Sequence, residues 1–253
     1  MTPQQAHFQY LLRLGDNALI LGHRLSEWCG HGPILEQDIA MTNIALDQVG
    51  QARSILAHAG KVEGKGRDED NLAYLRDAWA YRNVLLVEQP NEDFAFTIVR
   101  QFLFDAFNFY LHEALKESKD EQLRAIAEKS LKEIAYHLRY SSEWVIRLGD
   151  GTEESHQKMQ HALNSLWMYT GELTAPDEVD ELMLEAGLGA DLNLIRSLYD
   201  EKVAAILREA TLQQPEAGHM QSGGKNGKMH TEYLGHILAE MQFVQRAYPG
   251  MEW

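Results

Sequence analysis

Apolar side chains recur along most of this chain at the three-and-four spacing of a helix, and no stretch alternates with the period of a strand. A first helix is predicted from about Gln5 to Trp28, through Phe8, Leu11, Leu12, Ala18, Leu21 and Leu25; it ends at Cys29-Gly30-His31-Gly32-Pro33. A second runs from about Leu35 to Gly60, with Ala45, Val49, Ala52 and Leu56 on one stripe. A shorter helical pattern covers Asn71 to Val87 and stops at Glu88-Gln89-Pro90-Asn91. Two more long helices follow, Phe94 to Leu115 and Glu121 to Leu148. Beyond the turn at Gly149-Asp150-Gly151, Thr152 is an N-cap for a helix through Trp167 and Tyr169. Ala175–Ala186, Ala190–Leu212 and His230–Tyr248 complete the pattern, with a polar, glycine-rich segment from Gln214 to Lys228 before the last.

Two long helices, a long crossover and two more long helices are the layout of a ferritin-like four-helix bundle. The expectation is therefore an all-α, single-domain chain over residues 1–253, with a core bundle at about 5–149 and extra helices at about 153–248. The stretch Phe94–Leu115 is apolar on almost every face, as in a helix buried on all sides, and it carries one acid, Asp105, among phenylalanines. Arg100, Asp105 and Asn108 make it a poor membrane span.

Charge narrows the field. A formal net charge of -15 argues against nucleic acid or an anionic membrane as partner. One cysteine, Cys29, excludes a disulfide framework within one chain. The N-terminus lacks a basic segment followed by an apolar core, so the expected compartment is the cytoplasm.

The chemistry suited to such a bundle is a di-iron carboxylate centre, which takes one carboxylate from each of two helices and a Glu-x-x-His pair from each of the others. Two such strings occur, Glu153 to His156 and Glu216 to His219, but neither lies on a long helix. On the long helices the set is half present: Asp16, Asp47, Asp105, Glu133 and His137. Ile134 stands three before His137, and Gly50 three after Asp47, so at most one imidazole remains. Such acids without a metal need protonation or partners, for which His137, Arg53 and Arg139 are at hand. Plain surface roles compete: Asp16 and Asp47 as solvated or cap residues, Glu133 as half of an ion pair with Lys129. The run Gly223 to Lys228 resembles a phosphate loop only superficially, since Ser222 and Met229 stand where glycine and a hydroxyl residue are needed. Cys29 beside His31 reads as inert packing, and Trp28, Trp79, Trp144 and Trp167 as core or interface anchors.

Several stretches resemble the C subunits of bacterial phenylacetyl-CoA epoxidases, multicomponent oxygenases of phenylacetate breakdown. They are Arg24 to His31, Leu46 to Arg53, Leu85 to Asn91, Lys132 to Arg139, Arg147 to Thr152, His230 to His236 and Leu238 to Gln242, in order along the whole chain. The resemblance implies a ferritin-like fold and a metal-free structural subunit that pairs with a di-iron A subunit. That partner would epoxidise the ring of phenylacetyl-CoA with O₂. Electrons would arrive from NADPH through a reductase that holds flavin and an Fe–S cluster. It further implies a hetero-oligomer, with a homodimer of the chain alone as the alternative, and only indirect contact with phenylacetyl-CoA. Tyr81, Arg82 and Asn83, or Lys225 and Lys228, are the residues that could touch coenzyme A; a solvated surface is the competing reading. An autonomous di-iron oxygenase using Asp16, Asp47, Asp105, Glu133 and His137, or a self-assembling storage protein, are the alternative functions.

Overall fold

A computed structural model describes residues 1–216, 218 and 220–251. Among the described residues every regular element is helical. The order is α1 (Pro3–Ser26), α2 (Leu35–Glu63), α3 (Glu69–Tyr74), α4 (Phe94–Leu115), α5 (Glu121–Gly149), α6 (Glu153–Leu166), α7 (Gly171–Thr174), α8 (Glu178–Ala186), α9 (Leu192–Glu209), α10 (Glu232–Met241) and α11 (Phe243–Ala247). The all-α expectation is met. The chain divides into two compact units, Met1–Gln89 with Gly223–Trp253, and Pro90–Ser222.

In the first unit, α1 begins where the sequence marks it. The Thr2 hydroxyl accepts from the Gln5 amide, the Gln5 side chain returns the bond, and Pro3 opens the helix. α2 ends at Gly64, whose φ of 71° gives the left-handed cap. The two helices pack along each other and run antiparallel. A Cβ on Gly15 would meet Leu56 and Ile55, and one on Gly22 would meet Val49 and Gln48, so the glycines set a close approach.

The helix expected over 71–87 does not form. After α3 the chain makes only short 3₁₀ turns, Ala78–Ala80 and Leu85–Glu88. The cause lies on α1: the Asp16 carboxylate accepts the Arg82 amide at 2.8 Å and the Asn17 side chain accepts the Val84 amide at 2.8 Å. Amides held from outside in this way are not available to a continuous helix.

In the second unit α4 is the central element, packed on α5, α6 and α9. Ala95 to Asn108 are buried without a break, as the apolar pattern required. Asp120 caps α5 through the Gln122 and Leu123 amides, and Thr152 and Ser155 form a capping box for α6. Trp167 and Tyr169 lie in a 3₁₀ turn after α6. The expected helix over 175–186 starts later, at Glu178, because Asp177 caps it. The turn after α4 is tied to that after α8, where Ser118 donates to the Leu188 carbonyl at 2.8 Å.

Trp28, Trp144 and Trp167 are half-buried and Trp79 is 67% exposed, so no tryptophan among these four is a fully enclosed core residue. No described helix is long and apolar enough to cross a membrane.

Candidate functional site

The interior polar groups fall into separate clusters within each unit. In the first unit Asp16 is fully buried. Both its oxygens are gripped by the Arg76 guanidinium, with Nη1 at 3.0 Å from Oδ2 and Nη2 on Oδ1, and Oδ2 also holds the Arg82 amide. Arg76 lies over the Tyr81 ring, 4.2 Å from its centroid. The Tyr81 hydroxyl donates to the Ala73 carbonyl and accepts from Gln242 Nε2 at 3.0 Å. Burial pushes that phenol well above its ordinary range. Asp16 is therefore a paired structural carboxylate, held by an arginine outside the long helices.

A second buried acid, Glu88, has a full shell: Asn83 Nδ2 at 2.8 Å, the Thr231 amide and hydroxyl each at 2.7 Å, and His230 Nδ1 at 2.6 Å. Its backbone carbonyl accepts from Arg24. This shell fixes the start of α10 to the crossover. The glycine run before it is a strap laid on the same crossover. A Cβ on Gly224 would collide with the Asn83 carbonyl oxygen, and Gly227 has φ of 70°. Arg13 Nε donates to the Lys225 carbonyl at 3.0 Å.

These contacts place the residues considered for coenzyme A. Tyr81, Asn83 and Lys225 are buried. Arg82 is half-buried, with its guanidinium on Gln9 and on the Trp79 and Tyr81 carbonyls. Lys228 is exposed.

On α2 the inward stripe is Met41, Ile44, Ala45, Gln48, Ala52, Ile55 and Leu56, with Gln51 beside it. Asp47 is half-buried, one position before Gln48, and Val49 is 38% exposed. The interior polar pair of α2 is thus Gln48 and Gln51, three residues apart, and not Asp47 with Gly50. Reading the stripe through Val49, because it is apolar, hides the pair; the phase set by Met41, Ile44 and Ile55 would have revealed it. Gln48 is fully buried, and its carboxamide atoms have no hydrogen-bond partner among the described residues. From the Gly15 and Gly22 contacts, the part of α1 level with this pair runs from Ile20 to His23, with Gly22 against Gln48; Ile20, Leu21 and Gly22 are buried and His23 is half-buried.

In the second unit Asp105 is fully buried on α4. Its oxygens accept from Gln101 Nε2 at 2.7 Å and from the α5 hydroxyl of Ser141 at 2.8 Å. Burial pushes its carboxyl up to about 7, with His137 and these two donors pulling the other way. Ser141, one turn past His137, is a partner that the ligand pattern in the sequence does not point to. His137 is fully buried, Glu133 half-buried, and Ile134 completely buried at the position where a second acid would stand. Burial also holds the His112 imidazole down to about 4, beside the Asn108 carbonyl.

The first Glu-x-x-His string supplies no pair. His156 Nδ1 lies 2.7 Å from the Gly149 carbonyl, while Glu153 accepts from Gln157 on the exposed side. Of the other string, His219 lies outside the described residues. The His31 ring faces the Cys29 carbonyl.

The fit to a di-iron group can be judged from these donors. α2 offers two neutral carboxamides where carboxylate and imidazole are required, and α1 offers no acid between Ile20 and His23, the stretch level with them. Asp16 is bound to arginine, and α5 has isoleucine in place of its acid. The residues do not fit the group.

Residues 1–253 match the model of the phenylacetic acid catabolic proteins, and the chain belongs to that family. It is similar to the C subunit of 1,2-phenylacetyl-CoA epoxidase from Escherichia coli strain K12, with 51% identity over 244 residues, 96% of this chain and 98% of that protein.

Proposed function

We propose that this chain is the structural, metal-free C-type subunit of a phenylacetyl-CoA epoxidase complex. It pairs with a di-iron A subunit that epoxidises the aromatic ring with O₂ and NADPH-derived electrons delivered by a flavin and Fe–S reductase. The similarity to the Escherichia coli epoxidase chain supports the complex. The observation that carries the structural role is the Gln48/Gln51 pair, a polar pair with helical metal-site spacing but without metal-site donors. The four long helices α1, α2, α4 and α5 are those a ferritin-like bundle uses. Cytoplasmic residence belongs to the same reading.

The test is iron content, measured on the chain expressed alone and on its complex with the A subunit. The expected result is iron in the complex and background iron in the isolated chain. A di-iron load with O₂ consumption by the isolated chain would establish the autonomous oxygenase instead.

A further inference from the structure

Helix α2 carries a second apolar stripe on the side away from its buried one. Leu35 is 71% exposed, Ile39 52%, Leu46 65% and Val49 38%. With Thr42 and Arg53 these positions follow each other at steps of four and three: 35, 39, 42, 46, 49, 53. That is the 3.5-residue period of a seam that receives another helix by interlocking side chains. A surface helix needs one apolar face. Val49 stands at the edge of this stripe, where it also meets α1 at Gly22, but the inner face is complete without Leu35, Ile39 and Leu46, and large aliphatic side chains repeated in register on the outer face mark an interaction site. Gly50, within the same surface, has nothing within 4 Å of where its Cβ would be, so a partner backbone can approach there.

We infer that the outer seam of α2, Leu35–Ile39–Leu46–Val49, is the docking surface for a helix of the catalytic subunit. The inference rests on the function proposed above and names the face through which it is exercised. The period selects a helix as the occupant rather than a strand or a loop. Charge selects a different chain rather than a second copy. Each copy carries a net charge of -15, and self-pairing would bring two such fields together with one apolar helix face to hold them.

The experiment uses the full-length chain co-expressed with the catalytic subunit, and compares Leu46→Glu with Leu194→Glu. Leu194, on α9, is 61% exposed and lies off the seam, so it controls for a charge placed on any exposed leucine. Leu46→Glu is expected to weaken the complex at least about tenfold in titration, as burial of a carboxylate in an apolar contact should, with an unchanged melting temperature for the isolated chain. Leu194→Glu is expected to leave the complex intact. Full-strength binding by the Leu46→Glu chain, or equal loss in both variants, overturns the seam while leaving the complex standing. A wild-type chain that never binds the catalytic subunit overturns the functional reading instead. If sedimentation of the wild-type chain alone at pH 7, where the charge of -15 is in place, gives a dimer that Leu46→Glu dissolves, the occupant is a second copy and the inference is wrong.

Discussion

Two residues on α4, Asp105 and His112, are held away from their ordinary titration by burial, in opposite senses. Asp105 titrates at about 7 in the folded chain against an ordinary 3.8. Between those values the native state keeps a proton that the unfolded chain has released, so Asp105 withdraws stability as pH rises towards 7. That corresponds to about 4 kcal/mol at neutral pH. His112 titrates at about 4 against an ordinary 6.5, so the unfolded chain takes up a proton that the native state refuses. Its stability is complete above 6.5 and is lost as pH falls towards 4. From about 4 to 6.5 the two slopes offset each other. Asp105→Asn is expected to leave the His112 slope exposed, so that melting temperature drops more steeply than in the wild type on acidification from 6.5 to 4. His112→Leu is expected to do the reverse, losing stability from pH 4 to 7. Thermal melts across that range decide it, and variants whose curves run parallel to the wild type would show that neither group titrates as described.

At the scale of elements, the crossover and its strap contrast with α2. The Gly224 Cβ position is occupied by the Asn83 carbonyl oxygen, and backbone cannot yield as a side chain can. Gly224→Ala is therefore expected to cost about 1–3 kcal/mol in urea denaturation and to open residues 223–231 to limited proteolysis. Gly50→Ala, in an exposed helical position with open space, is expected to add about 0.5–1 kcal/mol. A Gly224→Ala chain as stable and protease-resistant as wild type would mean that the strap does not rest on the crossover. The same elements show what the sequence disclosed. The long helices were legible because their apolar period and caps are local: Thr2, Asp120 and Thr152 announce their helices. The segment 71–87 was not, because its conformation is dictated by Asp16 and Asn17, more than sixty residues away. For the same reason Arg76 could not be matched to Asp16, nor His230 to Glu88. The α2 pair is hidden for a different cause, a phase error of one residue on a helix with apolar side chains on both faces.

For the whole molecule the deciding balance is between charge and the outer face of α2. At pH 7 the net charge of -15 opposes self-association, whereas the sequence pI is about 5.1. As pH falls towards that value the repulsion fades while the apolar seam is unchanged. The isolated chain is expected to grow in hydrodynamic size between pH 7 and about 5, and Leu46→Glu to suppress the growth. Light scattering of both chains over that range measures it; equal growth in both would assign the association to another surface.

The amide pair on α2 also bears on how such a chain could change over time. Gln48→Glu alone would bury a carboxylate against Gly22 of α1 in a fully buried position. An acid placed alone at Leu19 or Ile20 would meet the same fate. Only a complete donor set, filled by metal, neutralises these charges, yet each single step towards it lowers stability. On the proposed reading, loss of the metal site works as an evolutionary ratchet. Selection can tune the chain as a scaffold, but the route back to an oxygen-activating enzyme is closed one substitution at a time.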